Sequence, residues 1–152
     1  MNHILSTLVA ITLFISCSKD KASNIDYTAK NEQEIKDYIA KNNLTAQKSD
    51  SGLYYVINDP GTGTQPTAIS NVTVAYKGYF TNGSVFDQSS AAGISFGLNK
   101  VIKGWTEGIQ YFKTGGSGIL LIPSNLGYGN KNSGPIPGGS VLIFDVKLNS
   151  VN

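Results

Sequence analysis

The chain's one histidine, His3, and its one cysteine, Cys17, both lie at its extreme N-terminus. If that segment is a targeting signal, the domain behind it holds neither imidazole nor thiol. That excludes His-based triads, cysteine nucleophiles, His/Cys zinc sites and internal disulfides. What remains is carboxylates, hydroxyls, lysines, backbone groups and shape. Ser117 and Ser124 have no base placed beside them, so a serine hydrolase has no support, and no D-x-D-x-D-G run offers calcium ligands. Neither a metal nor a cofactor is expected. Asp87 follows Phe86, and by itself it reads as a solvated turn aspartate, because a carboxylate among aromatics is costly to bury without partners.

Composition narrows the class further. Among 152 residues, 40% are hydrophobic, enough for a real core, while charged residues make up only 14%. Seventeen glycines point to a turn-rich, largely β architecture. A net charge of +2 without a dense Lys/Arg patch gives no basis for a nucleic-acid partner.

The elements that must position any site begin with an address. Ile4–Ile15 is an apolar run, too short for the roughly 20 residues of a bilayer span and of the length of a signal-peptide core. Phe14-Ile15-Ser16-Cys17 resembles a lipobox, so residues 1–16 are expected to be a lipoprotein signal peptide and Cys17 the lipidated first residue. Residues 17–50 read as a polar tether and a short helix. Asn31 and Glu34 have capping-box spacing, which predicts a helix over 31–42 with Ile35, Tyr38 and Ile39 on one side, packed on the neighbouring domain.

From Ser51 to Asn152 the chain reads as strands with one short helix. Residues 53–57 form a compact apolar strand that stops at Asp59-Pro60-Gly61. Val72, Val74 and Tyr76 alternate with Thr73, Ala75 and Lys77, the period of a half-buried strand. Asn82-Gly83 supplies a tight hairpin and Val85-Phe86-Asp87 returns. Residues 118–122 make another strand, and in the last one Leu142, Phe144, Val146 and Leu148 share a face. Ile102, Trp105, Ile109 and Phe112 form one helical stripe. Gly104 and Gly108 weaken that helix by up to about 1 kcal/mol each relative to alanine, so it needs tertiary support. A strongly twisted antiparallel sheet wrapped around it would supply this, giving an α+β fold.

The motifs from Val74 onward resemble those of the FKBP-type prolyl isomerases, in order and close to register. Val74-Ala75-Tyr76-Lys77-Gly78-Tyr79 is similar to the family's V-x-Y-x-G-x strand, and residues 83–89 to its G-x-x-F-D-x-S hairpin. Residues 101–108 resemble V-I-x-G-W-x-E-G, and Ile122-Pro123 through Leu126-Gly127-Tyr128-Gly129 resembles the I-P-x-x-L-x-Y-G loop. Ile136-Pro137 and residues 142–146 resemble the closing segment.

The resemblance implies an FKBP-like fold and an isomerase acting on X-Pro bonds. It assigns catalytic positions to Tyr76, Phe86, Asp87, Ile102, Trp105, Tyr128 and Phe144, and substrate-binding positions to Val101, Ile94, Phe96 and Ile136. The Tyr128 hydroxyl and the Ile102 N–H would donate to substrate carbonyls. Taken singly, the apolar members read as core packing, and only the family pattern shifts them toward lining a cleft. Where the family often has an aromatic near Ile94, this wall is aliphatic with Phe96 as a substitute, the 130–135 loop is short, and Gly138 stands where proline is usual. The expected partners are proline-containing exported polypeptides and a membrane reached through the lipid, in the bacterial envelope, with the protein a monomer. A non-catalytic proline-binding chaperone using the same cleft is the alternative.

Overall fold

In the computed structural model residues 25–152 are described. The expectations for the signal segment and for lipidation of Cys17 lie outside the described residues. Helix α1 spans Thr28–Lys41, followed by strands β1 (Gln47–Lys48), β2 (Tyr54–Asp59), β3 (Asn71–Tyr79), β4 (Val85–Gln88) and β5 (Ile94–Gly97). Helix α2 (Lys103–Gly108), β6 (Ser117–Ile122) and β7 (Leu142–Val151) complete the order. The strands form one sheet in the order β1-β2-β6-β7-β3-β4, with β5 also paired to β3, and every pairing is antiparallel.

Period-two alternation explains which face each side chain takes. Val72 and Val74 in β3, Leu120 and Ile122 in β6, and Leu142, Phe144, Val146 and Leu148 in β7 meet Trp105, Ile109 and Phe112 in one buried cluster. The opposite face buries Tyr54, Val56, Leu121 and Val141 against Ile35 of α1, with Tyr38 and Ile39 alongside. Strand β6 therefore reads as almost continuously apolar because both of its faces are covered, one by each helix. The helix stripe Ile35-Tyr38-Ile39 packs on the sheet as its spacing predicts.

Two helix readings need correction. Helix α1 starts at Thr28 rather than Asn31, with Asp26 Oδ1 accepting the Thr28 N–H at 2.9 Å. Asn31 does not cap it, because its amide is engaged by distant backbone groups, and Glu34 instead accepts from Thr81 Oγ1 at 2.6 Å. The stripe from Ile102 to Phe112 is also not a single α-helix. Ile102 is the N-cap of α2, the helix tightens into a 3-10 turn at Ile109–Tyr111, and Phe112 is already extended. Its side chains still point one way: Trp105, Ile109 and Phe112 are buried.

The two glycines of α2 have a packing reason. A Cβ on Gly104 would lie 2.6 Å from Ile122, and one on Gly108 would lie 2.7 Å from Leu120. Their absence lets α2 settle directly onto β6, and this close approach is the tertiary support that the weak intrinsic helix requires.

Candidate active site

Trp105 forms the centre of a cavity at the open side of the buried cluster. Its indole is 5% exposed. Tyr76 meets it edge-on at a ring-centroid distance of 5.0 Å and 85°, Phe144 does so at 5.1 Å and 85°, and Phe96 tilts against it at 5.4 Å and 53°. These geometries suit the ring quadrupoles, so the four rings support one another as a rigid apolar floor. Among the described residues the indole Nε1 is buried without an acceptor.

Each ring is held by a different element. Register sets Tyr76 of β3 opposite Val146 of β7, and Gly78 opposite Phe144. A Cβ at Gly78 would fall 2.6 Å from the Phe86 ring and 2.7 Å from that of Phe144, so glycine makes the space in which those two rings meet edge-on, 5.5 Å apart. Trp105 is fixed through α2, where the Ile102 carbonyl accepts from the Trp105 and Thr106 amides at 2.9 and 3.1 Å. Thr106 Oγ1 ties that helix to the Leu98 carbonyl at 2.6 Å. Glu107 lies outside the cavity and braces α2 by accepting from Ser51 and Tyr111 at 2.6 and 3.0 Å.

The cavity holds about 460 Å³, within the range of small-molecule sites. Tyr76, Asp87, Ile94, Phe96, Val101, Ile102, Trp105, Tyr128 and Phe144 line it, as does Lys100. Two of the expected residues stand apart. Phe86 and Ile136 line an adjoining hollow of about 330 Å³ that shares Asp87, Tyr128 and Phe144 with the first. Phe86 supports the floor from behind, against Phe144 and Phe80. Ile94 forms an aliphatic wall, 48% exposed, while Phe96 brings an aromatic ring to the floor beside it. Lys100 and Gly78 were not singled out from sequence. Lys100 carries no local signal, whereas Gly78 could have been found from its place between the aromatic residues of β3.

A larger groove, about 580 Å³, runs between α1 and the β3–β4 hairpin, but it is walled mainly by Lys30, Glu34, Asp37 and Lys41. It lacks the ring floor, and the residues that the resemblance assigns to the site gather at the smaller cavity and its neighbour instead.

At the rim the Tyr76 hydroxyl donates to Asp87 Oδ2 at 2.6 Å. Burial first, and then the bond and the negative charge of Asp87, push the Tyr76 pKa up to about 12. Tyr76 is therefore a neutral donor across the physiological range, and Asp87 is held in one orientation. Among the described residues neither the Tyr128 hydroxyl nor the Ile102 N–H has an acceptor, leaving two donors free at the cavity. Gly138 also has a local reason: its N–H donates to Asn132 Oδ1 at 2.9 Å, a bond that proline could not make.

Residues 62–149, more than half of the chain, match the family model described as FKBP-type peptidyl-prolyl cis-trans isomerase. The chain belongs to this family. It is 43% identical over 133 residues to the probable FKBP-type isomerase FkpA of Neisseria meningitidis serogroup B, covering 86% of this chain and 48% of that protein. Escherichia coli K12 FkpA is 40% identical over 124 residues, 79% of this chain and 46% of that one. The chain thus spans about half the length of the curated relatives it matches. The FKBP-type fold is matched by the crystal structure of E. coli FkpA, with a TM-score of 0.73 and 39% identity over 82% of this chain and 61% of that one. A crystal structure of a peptidyl-prolyl cis-trans isomerase from Pseudomonas syringae gives 0.70 and 31%, over 82% and 96%.

Proposed function

We propose that the protein is a peptidyl-prolyl cis-trans isomerase acting on X-Pro bonds of exported polypeptides. Trp105, ringed by Tyr76, Phe96 and Phe144 under an open cavity, carries this reading. An X-Pro bond exchanges over tens to hundreds of seconds, behind a barrier of about 20 kcal/mol. Rotation breaks amide resonance, so the twisted bond carries less charge separation than the planar one. Water favours the planar form more than an aromatic cavity does, so seating the proline on Trp105 lowers the barrier by differential stabilisation. The Tyr128 hydroxyl and Ile102 N–H then hold substrate carbonyls in the twisted rotamer. Asp87, oriented by Tyr76, sets the polar edge. A millionfold acceleration asks about 8 kcal/mol of these effects.

A protease-coupled assay on a short X-Pro peptide tests the proposal. Acceleration that is lost in Trp105→Ala is expected. No acceleration at micromolar protein, with peptide binding intact, would replace the enzyme with a proline-binding chaperone.

The same reading includes a lipid on Cys17 and residence in the bacterial envelope, supported by the Ile4–Ile15 run and the residues leading into Cys17. Two or more acyl chains make a stable anchor where one is marginal. Mass spectrometry of the native N-terminal peptide should find diacylglycerol on Cys17, and an unmodified Met1 start would refute it.

A further inference from the structure

The side chain of Asn31 is 1% exposed, although it sits near the start of a surface helix. Its Nδ2 donates to the Gly139 carbonyl at 2.9 Å, and its Oδ1 accepts from the Ser124 N–H at 2.8 Å. Ser124 and Gly139 bracket the segment that carries Tyr128. Inside that segment the Ser124 carbonyl accepts from Gly127 and Gly129 at 3.0 and 2.8 Å, and the Gly129 carbonyl accepts from Gly139 at 2.8 Å. Asn31, Ser124, Gly129 and Gly139 thus form a closed hydrogen-bonded ring, with Tyr128 on its inner turn.

Tyr128 needs such a frame. It is 45% exposed, its hydroxyl has no partner among the described residues, and glycines flank it on both sides. Packing and local sterics therefore fix its position weakly, and the backbone bonds around it must do so. Two further contacts close the frame from the same side. The Tyr27 ring covers Gly139 so closely that a Cβ there would collide with it, and Asn130 Nδ2 donates to the Ile25 carbonyl at 2.7 Å.

We infer that Asn31 is a positioning residue: by joining both ends of the 124–139 segment, its amide sets where the Tyr128 hydroxyl stands over the Trp105 cavity. Helix α1 and the residues leading into it are then part of the site's support rather than a passive extension. The effect on turnover rests on the isomerase reading, whereas the effect on the segment does not.

The test uses the full chain with Asn31→Ala, Tyr128→Phe and the double variant. Asn31→Ala should lower kcat/KM on an X-Pro peptide several-fold, by no more than Tyr128→Phe does. Tyr128→Phe should cost several-fold alone and about twofold or less in the Asn31→Ala background, because its hydroxyl is already misplaced. A merely structural role would give losses that multiply, and that result, or wild-type turnover in folded Asn31→Ala, overturns the inference. Amide hydrogen exchange gives an activity-free readout: Gly127, Gly129 and Gly139, whose N–H groups donate within the segment, should exchange about tenfold faster in Asn31→Ala while β6 and β7 do not change. If wild type shows no turnover, the isomerase reading fails and exchange alone decides on Asn31. Should Asn31→Ala not fold, Asn31→Asp keeps the volume and the acceptor for Ser124 but loses the donor to Gly139. It should show the same faster exchange, and unchanged exchange overturns the inference.

Discussion

The Tyr76 hydroxyl and Asp87 Oδ2 stand 2.6 Å apart across β3 and β4, at the rim of the Trp105 cavity. This short bond joins the ring floor to the only carboxylate lining the cavity among the described residues. Asp87 is exposed and Tyr76 half-buried, so neither is stranded when the other is removed. Asp87→Ala should therefore cost little stability, about 1 kcal/mol or less. It should lower kcat/KM about tenfold by freeing the polar edge. A denaturant melt and the X-Pro assay separate the two effects, and wild-type turnover in the folded variant would remove Asp87 from the site.

Alkali should act on this bond and on others like it. Burial first, then the hydrogen bond and charge of Asp87, push the Tyr76 pKa up to about 12, and burial with Glu107 does the same to Tyr111. Tyr79, half-buried and donating to Asp145, is also raised, by that burial first. An unfolded tyrosine titrates near about 10. Between there and about 12 the unfolded state binds fewer protons than the native one, so stability falls as pH rises through that window and is fully present below it. Unfolding midpoints should stay level up to about pH 10 and then decline, with Tyr76→Phe giving a shallower decline. Tyrosinate absorbance of the folded protein should show Tyr76 and Tyr111 ionising at about pH 12 rather than with ordinary tyrosines.

Trp105 is the chain's single tryptophan, and it forms the cavity floor. A proline-containing peptide that seats there must change the surroundings of the only indole. Titration should give a saturable change in tryptophan emission. Turnover that continues with no emission change at saturating peptide would mean that the proline binds elsewhere. Trp105→Ala also empties a buried site and should destabilise the fold by about 3 to 5 kcal/mol.

The difference between what was legible in the sequence and what was not follows the range of the interactions. Val72-Val74-Tyr76 and Leu142-Phe144-Val146-Leu148 announce their faces because strand periodicity is local, and the structure puts them in one cluster. Trp105 and Phe144 could be expected together only from the pattern of motifs, since either alone reads as core. Strand β1 left no trace, as Gln47 and Lys48 are both polar and exposed and owe their conformation to pairing with β2. Asn31 was misread for a related reason. Its spacing to Glu34 suits a cap, while its partners Ser124 and Gly139 lie far along the chain, where no local pattern could reveal them.

Gly108 sets two local rules against each other. Intrinsic propensity says that Gly108→Ala should stabilise α2 by up to about 1 kcal/mol. Packing says the reverse, because the new methyl would lie 2.7 Å from Leu120. Leu120 has no exposed surface and is enclosed by the central cluster, so it has nowhere to swing. Overpacking of this kind costs about 1 to 3 kcal/mol, which exceeds the helix gain. The variant should therefore melt earlier. Because α2 carries Trp105, lifting it from β6 should also shift the emission of the folded variant and weaken turnover. A higher unfolding midpoint in Gly108→Ala would show that α2 is not seated on β6 as closely as its glycines require.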